Sequence, residues 1–331
     1  MAAGFDIQSL AGQIRDARGV AHKRDIDSVV ERLGLNSRHA AVPVGDDCAA
    51  IPDGDGHLLF AIEGFLDSFV AADPYFAGYC GIMVNLSDIA AMGGRPLAVV
   101  DALWSRDAAA ADPILAGLSD AAALYGVPIV GGHTNTRAEA GNLAVAVLGR
   151  AGRRLLTSFD ATPGDDLVAA IDLRGRFRDP YPYWDASTGT TGERLRGDLT
   201  LLPGLAESGL CRAAKDISMA GVVGTALMLL ECSHVGGVID LDAIPRPAGI
   251  PLDRWLTAFP SFGYVLSVHP DCTPDVLARF AERDIAVATV GKLDASRVAR
   301  VRHTSGGEAV VWDFTVSPLI GCCQDDRGGA R

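Results

Sequence analysis

The sequence has no excess of basic charge, no paired-cysteine motif and no long apolar run, and each lack removes a class of function. Lysine and arginine number 29 against 41 aspartates and glutamates, a formal charge of −12. Such a surface repels polyanions, which speaks against non-specific nucleic-acid binding and adhesion to anionic membranes. None of the seven cysteines stands in a C-x-x-C pair. An odd set without that spacing reads as reduced thiols, not a disulfide framework or a zinc site. No uninterrupted apolar run approaches the length of a membrane span. The opening "MAAGFDIQSLAGQIRDARG" lacks the apolar stretch of a signal peptide. The expectation is a soluble, cytoplasmic protein. There is also no G-x-x-x-x-G-K-[ST] loop, and no G-x-G-x-x-G opening a helix after a strand, so a P-loop or Rossmann site has no support.

What is present is ample core-forming material. Of 331 residues 49% are hydrophobic and 21% charged, a globular composition long enough for two domains. "RDIDSVVERLG", residues 24–34, predicts an amphipathic helix closed by Gly34. "HAAVPVGDDCAAI" and "HLLFAIEGF" read as strands separated by the turn "PDGDG". Between 75 and 92, Tyr79, Ile82, Met83, Leu86, Ile89 and Ala90 recur at helical spacing before Gly93-Gly94. "PLAVVDALW" predicts a strand, and 112–125 a helix led by Asp112-Pro113. "VPIV" predicts a buried strand ending in "GGHT", and "LAVAVLG" another. The first half is thus expected to be an α/β sandwich with helices on one face.

A Gly- and Arg-rich stretch at 150–165 marks the expected boundary, giving domains 1–155 and 156–320 and a tail from 321 to 331. The second half predicts strands near 167–171, 237–241, 262–268 and 286–291, with helices near 219–232, 251–258 and 273–282, an α+β arrangement. Residues 174–199 break the pattern. They read either as a ligand-covering segment, with Tyr181, Tyr183, Trp184 and Arg194 near an acceptor, or as a plain surface loop.

The polar residues of the first half fall at the ends of elements. Asp46 and Asp47 lie in or just before a strand, and Glu63 directly follows "LLFAI". Asn85 and Asp88, three apart, share one face of an otherwise apolar helix, where a free carboxylate is expensive without a partner. His133 and Thr134 follow Gly131 and Gly132, glycines that let a backbone come close to a ligand. Carboxylates converging from distant elements suit a hard cation such as magnesium, which takes oxygen ligands and bridges to phosphates. Taken singly each has a plainer reading: a solvated turn for "GDD", a helix cap or packing contact for Asn85 and Asp88, a structural histidine for His133.

In order, "GDDCA", "VNLSDIAAMGGRP", "GGHT", "PGDD" and "KDISMAGVVG" resemble the AIR-synthase (PurM-like) superfamily of ATP-using enzymes, over roughly residues 20–295. The resemblance is nearest to the pattern of thiamine-monophosphate kinase and also touches that of selenophosphate synthase. It implies an N-terminal α/β domain that forms a homodimer, a C-terminal α+β domain, and ATP with magnesium as cofactors. By resemblance Asp46, Asp47, Glu63 and Asp88 hold metal, and Asn85, Gly131, Gly132, His133 and Thr134 lie at the nucleotide. Asp216 opens the C-terminal motif, and Lys23 is a mobile cation for phosphate. Two departures stand out. The kinase has D-x-S-D-G where this chain reads Asp216-Ile217-Ser218-Met219-Ala220, and an acid where it has His133. Selenophosphate synthase carries a nucleophilic cysteine or selenocysteine where "GVAHK" places Val20.

The implied function is an ATP- and magnesium-dependent phosphoryl-transfer or ATP-activating enzyme with an unassigned small-molecule acceptor. The alternatives are a non-catalytic ATP-binding partner protein, favoured by Met219 and Val20, and thiamine-monophosphate kinase itself. A metal-dependent hydrolase is a further option, but no His-rich signature accompanies the acids.

Overall fold

The computed structural model describes residues 6–33, 35 and 42–322. They form two compact units. The larger comprises Met1–Asp46, Leu156–Thr188 and Ser208–Arg331, the smaller Asp47–Leu155 and Gly189–Glu207.

Three helices open the larger unit: α1 (Ile7–Asp16), α2 (Arg18–Lys23) and α3 (Asp25–Leu33). The first carries no recognised sequence signal, yet the Asp6 carboxylate caps it by accepting the amides of Gln8 and Ser9. The predicted helix at 24–34 is α3, and its expected stop at Gly34 lies outside the described residues, as do positions 39–41 of the first predicted strand.

The smaller unit then builds β1 (Ala49–Asp53), β2 (Gly56–Phe65), α4 (Asp67–Ala72), α5 (Pro74–Ala91), β3 (Arg95–Trp104), α6 (Ala108–Tyr125), β4 (Ile129–Asn135) and β5 (Asn142–Ala151). The sheet order is β1-β2-β5-β3-β4, antiparallel except for β3 and β4. The expected strand through "VGDDC" does not form: β1 begins only at Ala49, because Gly45 takes φ +120° and residues 44–48 turn. The fifth helix, α5, is buried along almost its whole length, capped by Asp73 and opened by Pro74. It pairs closely with α6, which starts four residues earlier than expected because the Asp107 carboxylate caps it ahead of four alanines. A second correction concerns "VPIV": β4 is exposed along all seven residues, since it is an edge strand paired only with β3.

The chain next contributes β6 (Asp166–Ile171), β7 (Arg176–Phe177) and β8 (Tyr183–Asp185) to the larger unit. It returns to the smaller for α7 (Gly192–Leu199) and most of α8 (Leu201–Ser208). The larger unit is completed by β9 (Ala213–Asp216), α9 (Gly221–Cys232), β10 (Gly236–Asp240), α10 (Leu252–Leu256), β11 (Phe259–Pro260), β12 (Gly263–Val268), α11 (Thr273–Ala281), β13 (Ala286–Asp294), β14 (Val298–His303) and β15 (Gly307–Asp313). Its main sheet runs β15-β14-β10-β13-β6-β12-β9, with β11-β8-β7 as a small second sheet. Strands β6 and β12 are buried over nearly every residue, as a sheet covered on both faces requires. The segment 174–199 therefore carries two short strands and a helix between irregular stretches. Trp184 is buried and donates its indole N–H to the Asp172 carbonyl at 2.9 Å, so it packs instead of lining an open pocket. Arg194 is engaged by Asp198 one helical turn on.

Candidate active site

In the smaller unit, side-chain direction follows strand alternation. On β2, Leu59 and Ala61 are buried while Phe60 and Ile62 are exposed, so Glu63 continues the row that faces α5. Across the sheet Glu63 aligns with Val145 of β5, Asp101 of β3 and Gly132 of β4. Asp101 is an acid that the sequence reading passed over. A Cβ at position 132 would overlap its carboxylate, so the space left by Gly132 is filled by a protein group. Burial pushes the Asp101 carboxyl up, and its own backbone amide offsets this in part. Gly131 has open space, with only Val100 in ordinary contact.

A bulge where β4 leaves Ile129 for Gly131 decides where the next side chains point. It aligns His133 with Ala102, on the open face of the sheet, and Thr134, itself exposed on this edge strand, with the buried Leu103 on the other face. His133 and Thr134 therefore lie on opposite faces of β4, and the His133 ring stands 5.7 Å from that of Trp104.

On α5, Asn85 is fully buried and Asp88 nearly so, one turn apart on one face. The Asn85 amide donates to the Gly81 carbonyl at 2.8 Å, while its Oδ1 has no partner among the described residues. A buried acceptor left so costs about 1–3 kcal/mol. A carboxylate oxygen of Asp47 lies within 4.8 Å of one of Asp88. Two like charges at that separation repel by on the order of 3 kcal/mol at an effective dielectric of about 20. Glu63 does not complete a three-carboxylate group with them. The donor set is all oxygen and suits magnesium, which binds through one or two carboxylates and completes its shell with water and phosphate.

In the larger unit, Asp46 is engaged from behind. Ser158 donates its amide to Asp46 Oδ2 at 2.8 Å and its hydroxyl to Oδ1 at 2.7 Å. Asp216 ends β9, buried, opposite Tyr264 of β12. The preceding Lys215 is buried as well, a cation the sequence reading did not single out although it interrupts an apolar strand. Val20 is 1% exposed and packs from α2 against Gly224 of α9. The position that would carry the nucleophile is thus a core contact. Lys23, at the end of the same helix, is half-exposed.

No helix among the described residues is long and apolar enough to cross a membrane. Two family models match the chain: AIR synthase related protein, N-terminal domain, over 45–151, and its C-terminal domain over 192–304. An uncharacterized protein of Synechocystis sp. is 45% identical over 317 residues, covering 95% of this chain and 98% of the relative. One of Methanocaldococcus jannaschii is 34% identical over 325 residues, covering 96% and 100%. A thiamine-monophosphate kinase of Synechococcus elongatus is 26% identical over 296 residues, covering 81% and 89%. Among solved structures, T. maritima PurL complexed with ATP superposes with a TM-score of 0.75 at 19% identity, covering 96% of this chain and 52% of that one. The fold is therefore the two-domain PurM-like fold, and this chain spans about half the length of PurL. The protein belongs to the AIR synthase related family.

Proposed function

We propose that this protein is an ATP- and magnesium-dependent phosphoryl-transfer or ATP-activating enzyme acting on a small-molecule acceptor. The observation that carries the reading is the approach of Asp47 to Asp88 beside the unpartnered Asn85 carbonyl. Two carboxylates this close repel each other, and a divalent cation would draw them together. Structures of the fold in complex with ATP, and of a ThiL with AMPPCP and TMP, support nucleotide binding at this scaffold. Magnesium would neutralise phosphate charge during transfer. Asp47 and Asp88 are its proposed ligands, and Asp46 and Glu63 take part through remaining lone pairs or metal-bound water. Thr134 is proposed to contact phosphate beside Gly132, whose side-chain space Asp101 fills, with Gly131 and His133 on the opposite face serving the nucleotide. Lys23 and Asp216 are proposed as catalytic groups on the acceptor side.

The open face of the smaller unit's sheet carries Phe60, Ile62, Val100 and Leu148 in exposed positions. An apolar sheet face of this kind supports a homodimer. A cytoplasmic location is part of this proposal, and the free thiols support it.

A second reading, an ATP-binding partner protein without turnover, is favoured by one observation: Val20 is sealed in the core where a nucleophile would stand. Thiamine-monophosphate kinase is the weaker alternative, given His133 and Met219. Calorimetry with magnesium and ATP, followed by phosphorus NMR of products over an acceptor panel, separates the readings. Magnesium-dependent binding with formation of ADP or AMP is expected. Absence of binding overturns both ATP readings, and binding without product leaves the partner protein.

A further inference from the structure

Three consecutive residues at the end of α9 each hold a different piece of the larger unit. Glu231 is 2% exposed, and its carboxylate accepts the amides of Leu319, Ile320 and Gly321 at 2.8, 2.8 and 3.2 Å. Cys232 places its sulfur 4.0 Å from the Gly45 carbonyl. Ser233 donates its hydroxyl to the Ser158 carbonyl at 2.7 Å and accepts the Ala161 amide at 3.0 Å. Ser158 in turn donates twice to Asp46.

The segment held by Glu231 ends against the same turn. A Cβ on Gly45 would overlap that of Cys322, and would lie 3.2 Å from the Cys322 sulfur and 3.7 Å from that of Cys232. Both thiols therefore converge on Gly45, whose φ of +120° already demands glycine. Gly45 and Asp46 are walled in by Cys322 on one side and Ser158 on another, and both walls trace back to one helix end. Three amides on one buried carboxylate make a strong, directional anchor.

We propose that Glu231 is the positioning residue of the Gly45-Asp46-Asp47 turn, acting through residues 319–322, which it folds back to buttress Gly45. The contact of Cys322 with Gly45 makes the effect one of shape: the carboxylate fixes the segment, and the segment fixes the backbone that leads into the two aspartates. Outer groups that orient metal ligands typically account for about 10- to 100-fold in metal affinity. The functional arm of this inference rests on the magnesium-ATP reading above; the structural arm does not.

The test uses the full chain with Cys272→Ser and Cys323→Ser as background, which removes the half-exposed thiol and the neighbouring one, and labelling at Cys322 is read by peptide mass spectrometry. Burial pushes the Cys322 thiol up to about 11, which keeps it slow to label while the segment is docked. Glu231→Gln places an amide N–H₂ among three N–H donors and releases the segment. The expected results are labelling of Cys322 at least about tenfold faster, loss of hydrogen-exchange protection at the Ser158 amide, and magnesium-ATP affinity reduced by about tenfold. Cys322→Gly removes the wall while leaving the Glu231 hydrogen bonds intact, and covers the case in which Glu231→Gln fails to fold. It should lower affinity similarly, whereas Cys322→Ser, which keeps the volume, should retain it. The double variant Glu231→Gln with Cys322→Gly should cost no more than either alone, because both act through one contact. Fast labelling with unchanged Ser158 protection overturns the proposal, as does unchanged labelling. If the parent protein binds no magnesium-ATP, the function reading fails while labelling and exchange still decide the positioning role.

Discussion

Ser158 donates to both carboxylate oxygens of Asp46, across 112 positions of sequence. The bond pair turns one acid of the pair toward the protein while its neighbour Asp47 approaches Asp88. Adjacent, chemically identical residues thus have different surroundings. Ser158→Ala removes the hydroxyl bond to a charged acceptor and is expected to lower unfolding free energy by about 1–3 kcal/mol. Chemical denaturation measures this, and an unchanged midpoint would show that the Asp46 clasp carries no stability.

Asp88→Asn removes one of two close carboxylates while keeping the shape of the side chain. Without metal, the like-charge repulsion from Asp47 is relieved in the variant, so magnesium should stabilise it less than it stabilises the parent. Magnesium-dependent nucleotide binding should fall by at least about tenfold. Thermal melts with and without magnesium read both effects, and equal magnesium stabilisation in the two proteins argues against the site.

Asp101 supplies a pH-dependent test. Its folded-state carboxyl is held above the ordinary carboxylate range by burial, so the folded protein takes up this proton more readily than the unfolded chain. The group's favourable contribution is fully present below its unfolded pKa and is lost as pH rises through the folded one. Asp101→Asn should therefore gain stability relative to the parent between acidic and neutral pH. A gap between the two proteins that stays constant from pH 3 to 7 in urea titrations contradicts this.

The same carboxylate makes Gly132 sensitive. Gly132→Ala should be destabilising because the new methyl overlaps Asp101. Combining it with Asp101→Ala should restore much of the loss, a coupling visible in a double-mutant cycle. Simple additivity would mean that the glycine serves some other contact.

Ile62 is 66% exposed on the sheet's apolar open face. If that face is the homodimer interface, Ile62→Asp should yield a folded monomer by sedimentation where the parent sediments as a dimer. A parent that is already monomeric removes the dimer from the proposal.

Much of the smaller unit could be read along the chain, because its signals are local. The apolar period of α5 and its Asn85–Asp88 spacing are properties of a few consecutive turns, and both appear in the fold as expected. The apolar residues flanking "GDD" predict strand in or just after it, and β1 starts only at Ala49 because Gly45 takes a φ that composition does not reveal. Glu231 carries no signal of its role in the sequence, since its three amide partners lie 88 to 90 positions away. Lys215 and Asp101 were overlooked for a related reason: a single charge in a strand has no periodicity to betray it.

Local chemistry, then, determined the family, the kinds of residue available and the oxygen-rich character of the acids. Tertiary structure decided which atoms meet. It set Asp47 beside Asp88, closed Ser158 on Asp46, and through one bulge in β4 decided which of His133 and Thr134 faces the open side of the sheet. These outcomes depend on strand register and on contacts between segments far apart in the chain. Register shifts side chains from face to face one residue at a time, and no local pattern specifies it until the neighbouring strands are in place.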